Sequence, residues 1–152
     1  MRLHRKTRST FKTLQKLAKK SKVELGGHID RADDVGFKLV GGFATKNKFL
    51  PHTDEIVERK TRFHTHPDRK FPTPPSDRDF VQCCEDYRNG APPYHVVVCP
   101  GSTFIMTVPK HIKRMIDSGK DYRPMLKGRQ RRCGNFTCVM ATNQTRSVWN
   151  VF

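Results

Sequence analysis

Phe63–Phe80 reads FHTHPDRKFPTPPSDRDF, and four polar side chains in it decide how the remaining residues fall into place. His64 and His66 are two apart, so on an extended segment both imidazoles point to one face. Asp79 follows a proline-rich bend and falls in the first turn of a helix opened by Ser76. Two neutral imidazole nitrogens and one carboxylate leave a tetrahedral zinc one position open for water, the pattern of a catalytic rather than a structural ion. The plain alternative is a half-exposed histidine pair at a strand end. In that reading Ser76 is an N-cap and Asp79 the acid of a capping box.

His64-Thr65-His66-Pro67, a short loop and Ser76-Asp77-Arg78-Asp79, with Glu24-Leu25-Gly26-Gly27 upstream, resemble the motif of the JAMM (MPN+) zinc metalloproteases. The resemblance spans about Phe11 to Val108. It implies an α/β sandwich with a mixed central β-sheet flanked by helices. It also implies one catalytic zinc on His64, His66 and Asp79, Glu24 as general acid/base, and Ser76 as a stabiliser of the tetrahedral intermediate. One departure is visible: nine residues (67–75) separate His66 from Ser76, two more than the family usually has. The family's best-known activity is hydrolysis of isopeptide bonds to ubiquitin or ubiquitin-like proteins, which makes such a protein the expected substrate.

A chain of 152 residues is enough for one domain with a real core and too short for two comfortable ones. Thirty Lys and Arg against 14 Asp and Glu give a net charge of +16. A field of that size favours acidic partners: nucleic acid, an anionic membrane surface or an acidic protein. The five cysteines are odd in number and irregularly spaced, which argues against a disulfide framework. No apolar run is long enough to span a membrane and no signal peptide is recognisable, so the expected setting is intracellular, reducing and cytoplasmic.

Residues 1–22 contain no acid. They can be read as an Arg-rich transit peptide or as a basic arm (1–9) before an amphipathic helix at Thr10–Ser21. The helix is favoured, with Ser9 as N-cap and Phe11, Leu14, Leu17 and Ala18 on one face. The metalloprotease-like domain is placed at 10–118, and 119–152 is a basic extension packed on it. Val23–Asp30 and Val35–Ala44 form a strand pair turning at Arg31–Asp34, with Lys46–Glu55 a surface loop that includes His52. Glu24 and His28 share a face unless Gly26-Gly27 bulges; His28 is read as an ordinary strand histidine, with a supporting place behind the site as the alternative. Ile56–His66 is the strand that delivers the ligands, with Arg62 on the histidine face. The three prolines of Asp68–Pro75 stiffen the loop that follows.

The helix Ser76–Arg88 turns Phe80, Val81, Cys84 and Tyr87 to the core, and Cys83 and Cys84 are packing thiols. Tyr94–Cys99 is a strand buried on both sides, Thr103–Val108 returns after Pro100-Gly101, and Lys110–Ser118 is a short basic helix. In the tail, Lys127–Arg132 is a solvated basic run and Phe136–Met140 an edge strand. A second zinc at Cys133 and Cys138 is disfavoured for want of further ligands, and the glycosylation patterns at Asn135 and Asn143 are read as chance.

Three function classes follow. The first is a zinc peptidase acting on ubiquitin or a ubiquitin-like protein. The second is a nucleic-acid-binding protein on the same scaffold, suggested by the charge and by the DNA-repair-associated RadC branch of the family. The third is a metal-free scaffold, disfavoured because every ligand type is present.

Overall fold

The computed structural model describes residues 5–29, 36–52, 60–67, 75–126, 137–142 and 146–150, with side chains over 9–29, 36–52, 60–67 and 75–124. The Arg31–Asp34 turn, the start of the ligand strand before Lys60, most of the proline-rich loop, the Lys127–Arg132 run, Cys133, Asn135, Asn143 and the Cys138 side chain lie outside them.

The chain runs α1 (Arg5–Lys20), β1 (Gly26–Ile29), β2 (Phe37–Leu39), β3 (Gly42–Thr45), β4 (Lys48–Pro51), β5 (Thr61–Thr65) and α2 (Asp77–Arg88). It continues through β6 (Tyr94–Cys99), β7 (Ser102–Thr107), α3 (Lys110–Asp117), α4 (Arg123–Leu126), β8 (Thr137–Thr142) and β9 (Arg146–Asn150). It is an α/β fold, as expected, with helices packed on a mixed sheet. Seven strands lie in the order β2-β1-β5-β6-β7-β8-β9, and β3 and β4 form a separate two-stranded sheet. Every neighbouring pair is antiparallel except β5 and β6. A parallel pair needs a crossover, and α2 lies in it. The predicted ligands therefore flank one connection: His64 and His66 at the end of β5, Asp79 in the first turn of α2.

Alternation along β6 explains why its sequence is apolar throughout. Val96 and Val98 pack with Phe63 of β5 and with Phe11 and Leu14 of α1. Val97 and Cys99 pack with Phe80, Cys83 and Cys84 of α2 and Ile112 of α3. One helix thus covers one sheet face, and two cover the other. Gly101 turns β6 into β7 at φ 77°, a conformation that glycine adopts without steric cost.

Several boundaries differ from the sequence reading. α1 begins at Arg5, so Ser9 lies inside the helix and is not its cap; Leu17 is only half-buried, while Gln15 is buried and donates to Thr103 at 3.0 Å. Val35–Ala44 is not one strand. β2 pairs with β1, and β3 leaves to form a hairpin with β4 inside the stretch read as a loop. The hairpin closes tightly at Gly42, which lies against the Leu50 backbone, where a Cβ would have no room. In α2, Val81 is 36% exposed, and Cys83 and Asp86 are buried. Beyond β8 the sheet continues with β9, so β8 is not an edge strand.

Candidate metal centre

β5 is held between β1 and β6, which fixes the end that carries the histidines. The Thr65 N–H donates to Leu25 O at 2.7 Å, and the Leu25 N–H donates to the buried Thr65 hydroxyl at 2.9 Å. One residue further, the His66 N–H donates to Val98 O at 2.9 Å, so pairing to β6 extends past the strand end. Alternation puts Arg62 and His64 on the α2 face and Phe63 on the α1 face, as the residue pattern predicts.

α2 opens with both halves of a capping box. The Asp79 N–H donates to Ser76 Oγ at 3.3 Å, and the Ser76 N–H donates to Asp79 Oδ2 at 2.6 Å. The Ser76 hydroxyl also reaches Asp79 Oδ2, at 2.8 Å. The cap occupies one carboxylate oxygen only. The other, Oδ1, lies 3.1 Å from His64 Nε2. His66 Nε2 is 3.1 Å from His64 Nε2 and 3.9 Å from Asp79 Oδ2. The cap and the approach to the histidines, alternatives in the sequence, coexist on the two oxygens of one side chain.

These atoms fit a metal ion. One ligand atom from each of His64, His66 and Asp79 lies within 4.8 Å of the others. Nitrogens about 2.0–2.1 Å from a tetrahedral zinc stand about 3.3 Å apart, close to the observed imidazole separation. Burial pushes the Asp79 carboxyl up, but His64 and the Ser76 hydrogen bonds outweigh it and hold the group well below the usual carboxylate range. An ionised carboxylate beside two facing imidazole nitrogens is a donor set for a divalent cation.

The centre opens into a cavity of about 440 Å³. Glu24 is buried in its wall, its N–H bonded to Thr45 O at 2.7 Å, and Ser76 lines the same cavity. All five predicted site residues therefore border one space. His28, read as an ordinary strand histidine, is buried beside Arg62 in register and lines the cavity too. Phe49 of β4 forms a further wall, its ring lying over Gly26, where any side chain would overlap it. His52 is exposed just past β4.

The sequence reading missed a second layer behind His64. His95 Nε2 lies 2.8 Å from His64 Nδ1, and His95 Nδ1 lies 3.5 Å from Asp86 Oδ2. Asp86 Oδ1 accepts from Arg62 and, at 2.8 Å, from Gln82 Nε2. Burial lowers the pKa of His95, against the pull of Asp86, and favours the neutral ring. Signals existed: His95 is the one imidazole in an apolar strand, and Asp79, Gln82 and Asp86 recur at helical spacing. Cys83 and Cys84 are buried free thiols; burial raises both, Cys84 to about 12, so neither is a nucleophile near neutral pH. No known protein-family model and no curated protein sequence matches this chain.

Proposed function

We propose that this chain is a zinc-dependent peptidase of the JAMM type, hydrolysing peptide or isopeptide bonds to ubiquitin or a ubiquitin-like protein. The observation that carries the reading is the convergence of His64, His66 and Asp79 on one point, with Glu24 and Ser76 bordering the same cavity. A bound zinc would supply Lewis acidity at the carbonyl and acidify an attacking water. Glu24 takes the proton from that water and returns it to the leaving amine. The Ser76 hydroxyl, which points to Asp79 Oδ2, turns its proton to the developing oxyanion. Asp79 stays ionised.

An extended protein tail suits the surroundings better than a small molecule does. Phe43 and Leu50 sit opposite one another on the β3–β4 hairpin and are 62% and 43% exposed, an apolar ledge whose Leu50 also lines the cavity. The test is metal content by mass spectrometry together with cleavage of a linear ubiquitin-like fusion. About one zinc per chain, and chelator-sensitive cleavage lost in His64→Ala/His66→Ala, is expected. Full zinc occupancy in that double variant would rule the assignment out.

The net charge of +16 favours a second reading, a nucleic-acid-binding protein on the same scaffold. Retention of the chain on DNA or RNA at moderate salt, with no zinc bound and no cleavage, would select it.

A further inference from the structure

We infer that His95, backed by Asp86, is a positioning residue that sets the tautomer and ring orientation of His64, and so prepares His64 Nε2 to bind metal. The inference rests on the metal-centre reading above and follows from counting protons. A neutral imidazole has one N–H. If His64 binds a cation through Nε2, its proton is on Nδ1, and the atom facing Nδ1 at 2.8 Å, His95 Nε2, must accept. His95 then carries its own proton on Nδ1, which faces Asp86 Oδ2 at 3.5 Å. His95 Nδ1 and Asp86 Oδ2 are both buried with no ordinary hydrogen bond to any described residue. Each is the natural partner of the other, a small displacement from bonding range.

Asp86 cannot rotate to evade this role. Arg62 and Gln82 both donate to its Oδ1, which leaves Oδ2 for His95. The sheet register supports the arrangement from the other side: Arg62 of β5 stands directly beside His95 of β6. The opposite tautomer of His95 would aim a ring lone pair at a carboxylate. It would also put the His64 proton on Nε2, where the ion belongs. Metal-bound histidines usually give their second N–H to a carboxylate, a carbonyl or water; here a second imidazole is interposed between ligand and carboxylate.

Zinc affinity of the full chain, measured by competition with a chromophoric chelator, tests the assignment, with thermal unfolding as the check on folding. His95→Phe should weaken zinc binding about 10–100-fold, the usual worth of such outer partners. His95→Gln, whose amide oxygen can accept from His64, should recover most of it. Asp86→Asn is the sharper variant, because it is isosteric. Arg62 and Gln82 should keep its oxygen at the Oδ1 position, so its NH2 faces His95, forces the wrong tautomer and weakens zinc by a similar factor. In the zinc-loaded wild type, nitrogen-15 histidine spectra should show His95 protonated at Nδ1 and His64 at Nδ1. Wild-type affinity in folded His95→Phe and Asp86→Asn, or His95 protonated at Nε2, would overturn the positioning role and leave the zinc site standing. A wild-type chain that binds no zinc would overturn both.

Discussion

The two oxygens of Asp79 are used differently, and Ser76 holds one of them. Oδ2 closes the helix cap and Oδ1 faces the histidines. Removing the Ser76 hydroxyl should therefore be felt twice. Ser76→Ala is expected to cost about 1 kcal/mol of stability through the lost cap, read by chemical denaturation, and to slow cleavage while zinc remains bound. Unchanged cleavage with reduced stability would leave Ser76 as a cap alone. Glu24 has a different signature, because it borders the cavity without belonging to the converging ligand set. Glu24→Gln should keep zinc content and the unfolding midpoint, yet lower cleavage by roughly two to four powers of ten, as loss of a general acid/base does. Loss of the metal in that variant would make Glu24 a ligand and refute its assigned role.

At the scale of elements, α2 is the organising piece. One of its faces supplies Phe80, Cys83 and Cys84 to the core, and the stripe Asp79, Gln82 and Asp86 turns to the centre and its support. The β3–β4 hairpin is the counterpart across the cavity, and it docks through Phe49 on the side-chain-free surface of Gly26. A methyl group there must displace the ring. Gly26→Ala should destabilise the protein by about 1–3 kcal/mol, the usual cost of overpacking. In a Phe49→Ala background the same substitution should cost little. A double-mutant cycle by denaturation reads that coupling directly, and an equal cost in both backgrounds would show that the hairpin does not rest on Gly26.

Across the whole molecule, exposed positive charge among the described residues lies on both helical faces of the sheet. Lys12, Lys16, Lys19 and Lys20 are exposed on α1, which covers one sheet face, while Lys110 and Arg114 are exposed on α3, which covers the other. Binding to nucleic acid through phosphates should weaken steeply with salt, because each neutralised phosphate releases counterions. Since the clusters do not share a face, reversing charge on α1 should reduce the salt slope without abolishing binding. A gel-shift or anisotropy titration against salt measures it. Complete loss of binding in the α1 variant would mean that α1 alone carries the contact. No helix among the described residues is long and apolar enough to cross a membrane.

Some of this was set by residue type and spacing alone. His-x-His on a strand must share a face, a Ser-x-x-Asp start caps a helix, and the apolar run Tyr94–Cys99 must be buried on both sides, because these are properties of local geometry. The α/β class and the shared face of His64 and His66 follow from them. That Asp79 joins the pair is implied by the resemblance to the JAMM motif, and the β5–β6 crossover is what brings it there. The break between β2 and β3, the hairpin at Lys48–Pro51 and the exposure of Val81 do not, since each depends on what a distant segment leaves room for. The same holds for the support of His64. Arg62, Asp86 and His95 come from a strand, a helix and another strand, and each has an ordinary reading by itself. Only the parallel pairing of β5 with β6, with α2 laid over the crossover, brings their buried polar atoms within reach. Burial then makes each depend on the others.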